Sequence, residues 1–169
     1  MSDTEKTNEQ SGVGGNYRIV PLSYSHVEAV AAIERECFSS PWSERSVAEE
    51  VENSAACFVV CEAEGKETGT VAGYAGMQFA GGFSMICNVA VTKKYRRQGI
   101  ARALMEALIC KCKELYIEEL SLEVRISNTE AIALYEALGF KSIGIRPNFY
   151  SSPREDANIM SLYFTGDKQ

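Results

Sequence analysis

The stretch that most constrains the fold is a basic turn leading from a segment with strand patterning into one with helix patterning. Phe83–Val91 reads as a strand, and Lys93, Lys94, Arg96, Arg97 and Arg102 crowd the turn after it. Ile100, Leu104, Ala107, Leu108 and Leu115 then recur at helical spacing from a start near Gly99. Taken alone, the basic residues are a solvated charged turn. The helix changes that reading, because its first turn offers unpaired backbone N–H groups and the positive end of the dipole. Gly99 and Ala101 leave that backbone open to close approach. Arg96, Arg97, Gln98, Gly99, Ile100 and Ala101 are therefore read as a grip for the pyrophosphate of a nucleotide-containing cofactor, with arginines adding attraction. Asn88–Val91 would carry the elongated remainder of that cofactor along its edge. The three-glycine dinucleotide fingerprint and the Gly-Lys-Ser/Thr of a P-loop are both absent.

The chain has 169 residues, enough for one domain with a real hydrophobic core. Its formal net charge of −6 argues against nonspecific nucleic-acid binding. No apolar run reaches the length of a membrane span, and no charged-then-apolar leader opens the sequence, so a cytoplasmic location is expected. Six cysteines lack zinc-site spacing, and His26 is the sole histidine. The cysteines are read as buried reduced thiols, and no metal is expected. His26 is read as an exposed helix residue.

Residues 1–16 are polar and expected to be disordered, 17–164 form the domain, and 165–169 are a tail. A strand is expected at Tyr17–Leu22. A helix capped by Ser23 or Ser25 should run to about Phe38, with Val30, Ile33 and Cys37 on one face. Pro41-Trp42-Ser43 breaks it, and Ser43 caps a second helix through Val51. Strands follow at Cys57–Glu64, Thr70–Gln78 and Phe83–Val91, with turns at Gly65–Gly69 and Ala80–Gly82. Beyond the basic turn and its helix come a strand at Leu120–Val124 and a helix opened by a Ser127/Glu130 capping box. Gly139 closes that helix in the left-handed conformation, and strands at Lys141–Ile145 and Ala157–Phe164 finish the domain.

With these residues placed, the sequence resembles the GCN5-related N-acetyltransferase (GNAT) family, whose acetyl-CoA signature is matched by Arg96-x-x-Gly99-x-Ala101. Asn88–Val91, Tyr95–Gly99, Leu122–Arg125, Ser127-Asn128, Ala131–Glu136 and Leu138–Phe140 bring it nearer the type that acetylates ribosomal-protein N-terminal alanines (the RimI type). Pro41–Ser43 and Arg154–Ala157 also match in kind. The resemblance implies a mixed α/β fold with a mostly antiparallel sheet flanked by helices and splayed between the fourth and fifth strands. It implies acetyl-CoA as co-substrate, held by Val89, Ala90 and Val91 along the acyl arm, by Arg96–Ala101 at the pyrophosphate, and by Asn128. It also implies Glu123 as general base, Tyr135 as general acid, and the loops around Trp42 and Tyr150 as the acceptor side. The acceptor would be a protein or peptide N-terminus, that of a ribosomal protein among the candidates, with no nucleic-acid or membrane partner.

The chemistry is consistent with this set. An α-amine has a pKa of about 7.7–8.0, so one carboxylate suffices to take its proton near neutrality. A tyrosine hydroxyl can protonate the departing thiolate, and backbone N–H groups near Val91 can stabilise the oxyanion. Pattern alone favours plainer readings: Glu123 as a surface residue paired with Arg125, Tyr135 as a core aromatic, Asn128 as a helix cap and Trp42 as a packing anchor. Two other functions stay open: acetylation of a small-molecule amine, and a binding module that holds acetyl-CoA as a sensor or assembly subunit.

Overall fold

The computed structural model describes residues 17–63 and 70–164. The disorder expected over 1–16, the turn at Gly65–Gly69 and the tail at 165–169 lie outside the described residues. Among those described, strand-patterned segments form β1 (Tyr17–Pro21), β2 (Ala56–Ala63), β3 (Thr70–Ala80), β4 (Phe83–Val91), β5 (Glu119–Arg125), β6 (Lys141–Ser151) and β7 (Arg154–Tyr163). They make one sheet in the order β1-β2-β3-β4-β5-β7-β6. All neighbours are antiparallel except β4 and β5.

Helices cover both faces. On one, α1 (Val27–Cys37) and α2 (Glu44–Val51) bury Val30, Ile33 and Val47 against Phe58, Val60, Tyr74 and Ala90 of β2–β4. On the other, α3 (Ile100–Glu114) and α4 (Thr129–Ala137) bury Leu104, Leu108 and Tyr135 against Ala75, Met77, Leu122, Val124 and Met160. The order of elements is the one expected from sequence. Ser43 caps α2 as expected, its Oγ accepting from the Ser46 N–H at 3.1 Å.

Four local expectations are corrected. The chain enters α1 through a 3-10 turn at Tyr24–His26, and His26 is buried, because Nδ1 accepts the Ser23 N–H and Nε2 lies 2.9 Å from Glu62. Asn128, not Ser127, caps α4, its Oδ1 accepting from the Ala131 N–H at 3.2 Å. Ser127 instead donates its N–H and hydroxyl to Glu155, at 2.8 and 3.0 Å. β6 and β7 both extend into a long hairpin, well past Ile145 and starting before Ala157. The cysteines are free thiols, but only Cys61 and Cys112 are fully buried, and Cys110 is exposed. Gly139 does close α4 at φ 97°, as expected.

Two features open the sheet. The β3–β4 register steps from Gly76↔Asn88 to Met77↔Ile86, so Cys87 is the extra residue of a bulge in β4. β4 and β5 pair only at Phe83↔Glu119, Ser84↔Leu120 and Met85↔Ser121. Beyond these they diverge, and the gap lies between Asn88–Val91 on one side and Glu123 on the other.

Candidate active site

The β4 side of the gap is mainly backbone. The Thr92 N–H donates to the Ala72 carbonyl on the β3 side at 3.0 Å. By strand alternation, Val89 and Val91 then turn their own backbone groups toward the gap, where β5 no longer pairs. The Val91 carbonyl accepts from Arg96 Nε at 3.1 Å and is approached by the Cys37 thiol at 3.7 Å. Arg96 thus folds back on β4 and shapes the turn.

Arg97 and Gly99 both have positive φ, 63° and 79°. Such a turn points successive N–H groups into one concavity, which suits an anion. The first helical hydrogen bond of α3 runs from the Ala103 N–H to the Gly99 carbonyl at 3.0 Å. The N–H groups of Ile100, Ala101 and Arg102 precede it and find no backbone carbonyl among the described residues. No acidic side chain stands in the first turn, and a Cβ added at Gly99 would meet nothing within 4 Å. Open space, free donors and the dipole fit a pyrophosphate.

The side chains here divide the work. Ile100 points into the core and serves through its backbone. Gln98 is engaged by the Tyr17 hydroxyl, tying the turn to β1. Arg97 and Arg102 are the solvent-facing cations, with surface partners in Glu130 at 3.5 Å and Glu106 at 2.9 Å. Exposed pairs of this kind are weak and leave both free to turn to a ligand.

Across the gap, Leu120, Leu122 and Val124 of β5 face the α3–α4 core, so Glu123 faces the side of α1 and α2. Its side chain is 14% exposed and pairs with Arg146 Nη1 of β6 at 3.3 Å. Arg125 is not its partner. Tyr135 lies on the opposite face, 8% exposed, its ring 5.8 Å from that of Phe140. Burial, with a smaller contribution from Tyr150, pushes its phenol up to about 12. It therefore keeps its proton throughout the neutral range. Asn128 caps α4, so its carbonyl oxygen is occupied by the helix.

The wall built around the tip of the β6–β7 hairpin is a side-chain construction that sequence reading largely missed. Arg125 donates to the carbonyls of Pro153 and Ser152 at 2.9 and 3.0 Å, and its guanidinium lies 4.1 Å from the Tyr150 ring centroid. Phe149 packs edge-on to Tyr150 at 5.0 Å. Glu155 holds Arg125 at 3.4 Å, and the donors of Ser127 keep its carboxyl below the ordinary range. Ser39, in the α1–α2 segment, donates to the Ser152 carbonyl at 3.3 Å, so the two loops meet. Trp42 is half-buried, its ring 5.9 Å from that of Phe58, and its backbone N–H donates to Glu34 at 2.8 Å. Arg125 had one sequence signal, its place two residues from Glu123 on the same strand face.

Among the described residues no three His, Cys, Asp or Glu side chains are grouped to hold a metal ion, and no helix is long and apolar enough to cross a membrane.

Comparisons with known proteins agree with this geometry. Residues 27–140 match the acetyltransferase (GNAT) family. The [ribosomal protein bS18]-alanine N-acetyltransferase of Escherichia coli K12 is 38% identical over 146 residues, covering 85% of this chain and 95% of that one. An N-alpha-acetyltransferase of Sulfurisphaera tokodaii is 33% identical over 161 residues, covering 88% and 93%. The crystal structure of the Escherichia coli ribosomal-protein-S18-alanine N-acetyltransferase superposes with a TM-score of 0.78 at 35% identity, covering 90% of this chain and 98% of that one. The chain belongs to the GNAT family of acetyltransferases, enzymes that take their acetyl group from acetyl-CoA.

Proposed function

We propose that this chain transfers the acetyl group of acetyl-CoA to the α-amine of a protein N-terminus, and that a ribosomal protein beginning with alanine is its substrate. The observation that carries the reading is the loss of β4–β5 pairing beyond Met85↔Ser121, with Glu123 two residues farther along β5. Val89 and Val91 line the acyl arm, while Ala90, expected with them, turns its backbone groups to β3; Arg96, Arg97, Gln98, Gly99, Ile100 and Ala101 hold the pyrophosphate; the amide of Asn128 borders the opening. Relatives named as ribosomal protein bS18-alanine N-acetyltransferases match 79% and 85% of the chain, which supports the choice of amine.

In this scheme Glu123 accepts a proton from the α-ammonium, directly or through a water, which is a modest task near neutrality. The amine attacks the thioester carbonyl, and backbone N–H near Val91 receives the developing oxyanion. Tyr135 gives its proton to the departing sulfur. The burial that raises this phenol acts equally on a thiolate formed beside it, so the transfer is not opposed by the full shift. Trp42 and Tyr150 bound the acceptor side, Trp42 by fixing its loop and Tyr150 by presenting its ring beside Arg125. No acyl-enzyme is needed, since donor and acceptor meet in one site.

The test is product mapping: incubation with acetyl-CoA and peptides carrying both a free N-terminal alanine and an internal lysine, read by tandem mass spectrometry. The expected product bears one acetyl group, on the α-amine. Acetylation of small amines but of no peptide would overturn the proposal.

A further inference from the structure

Glu34 is the one buried carboxylate among the described residues. It lies on the apolar stripe of α1, between Val30, Ile33 and Cys37, and is 0% exposed. A carboxylate so placed is costly unless donors surround it. Oε1 accepts from Asn88 Nδ2 at 2.8 Å and from the Tyr74 hydroxyl, while Oε2 accepts from the Trp42 N–H at 2.8 Å. All three partners donate, so the ionised form satisfies all three. Burial raises its pKa, and the bonds from Trp42 and Asn88 oppose that rise. Fully enclosed and fully engaged, Glu34 does not reach a substrate and is not a base.

Its partners show what it joins. Asn88 follows the β4 bulge and directly precedes Val89–Val91, the donor edge of the gap. Trp42 belongs to the α1–α2 segment, which meets the β6–β7 hairpin through Ser39 and Ser152. We infer that Glu34 is a positioning residue that locks the acceptor loop carrying Trp42 to the donor strand β4, and so sets the peptide's place relative to the thioester. The inference rests on the acceptor reading of that loop. A carboxylate suits the task because neither an amide nor an apolar side chain accepts from three donors at once.

Trp42 is the only tryptophan in the chain, so its emission reports on this loop alone. In Glu34→Gln the new amide N–H groups face other donors, and the lock opens. Emission should shift to the red and acrylamide should quench it more strongly. The peptide KM should rise about tenfold, the loss expected for one charge-assisted bond, while the acetyl-CoA KM changes less than about twofold. Adding Asn88→Asp should reverse both effects. In that double variant the introduced amide accepts from the Trp42 N–H and donates to the introduced carboxylate and to the Tyr74 oxygen. A purely structural role predicts lower stability without the KM split.

Unchanged Trp42 emission in Glu34→Gln, equal rises in both KM values, or no recovery in the double variant would each overturn the inference. If Glu34→Gln does not fold, Tyr74→Phe removes a single donor and should give a smaller red shift; none would count against it. If the wild-type chain acetylates no peptide, the functional proposal fails, while the emission experiment still decides whether Glu34 holds the loop.

Discussion

In the proposed reaction the basic turn between β4 and α3 holds the donor and the wall across the gap holds the acceptor, yet the two are built differently. The turn relies on backbone: two residues at positive φ, a helix start and a carbonyl that organises Arg96. Such a device is contiguous in sequence and tolerant of which side chains surround it. The wall relies on contacts between residues far apart in the chain: Arg125 with Ser152 and Pro153, Glu155 with Ser127, Ser39 with Ser152, and Glu34 with Trp42 and Asn88. The contrast fits a task in which the donor is always acetyl-CoA while the acceptor must be chosen. It also predicts that damage on the two sides will appear in different kinetic constants.

The largest effect should come from the groups shared by both sides. Glu123→Gln and Tyr135→Phe should each lower kcat by about 10²–10⁴-fold, the usual worth of a general base or acid, with little change in either KM in steady-state assays. Wild-type rates in both would break the catalytic assignment. Next, Gly99→Ala forces a Cβ onto φ 79° and into the phosphate approach, with strain alone of about 1–2 kcal/mol. The acetyl-CoA KM should rise about tenfold and the peptide KM should not. Arg125→Gln should do the reverse. It removes two carbonyl bonds and the cation over Tyr150, and a several-fold rise in peptide KM is expected, at about 1 kcal/mol or more. If either variant changes both KM values alike, the two sides are not separable.

Two smaller effects concern stability. The Tyr135 phenol is raised from 10.0 to about 12. The folded state therefore holds that proton more tightly than the unfolded chain. The resulting stabilisation is fully present below pH 10 and is lost as pH rises through about 12. In alkaline unfolding titrations, Tyr135→Phe should flatten this decline. Asn128→Ala removes the α4 cap and should cost about 1 kcal/mol, lowering Tm by roughly 2–4 °C.

The same contrast explains what could be read from the sequence. The order of elements was legible because amphipathic spacing and turn residues act locally: Ser43 caps α2, Gly139 ends α4, and the basic turn starts α3 at Ile100. The splayed gap followed from family resemblance, since nothing in the patterning of β4 or β5 says where their pairing stops. Errors arose where a distant partner displaced a local one. Ser127 lost the helix cap because its hydroxyl turns to Glu155 while Asn128 Oδ1 accepts the helix N–H, and His26 is buried because Glu62 receives its ring. Glu123 pairs with Arg146 because the β6–β7 hairpin brings that side chain within reach across β7, whereas Arg125 is drawn to the hairpin tip. Glu34 did carry a signal, a charge within the apolar stripe of α1, but its three partners are known only from the fold.

A crystal structure with a conjugate of CoA and an alanine-initiated peptide tests the central claim most directly. The pyrophosphate is expected on the N–H groups of Arg97–Ala101, the acyl arm along Val89–Val91, and the alanine beside Glu123 between the Trp42 loop and Tyr150. A CoA moiety bound outside the β4–β5 gap, or a peptide leaving from the α3–α4 face, would contradict it.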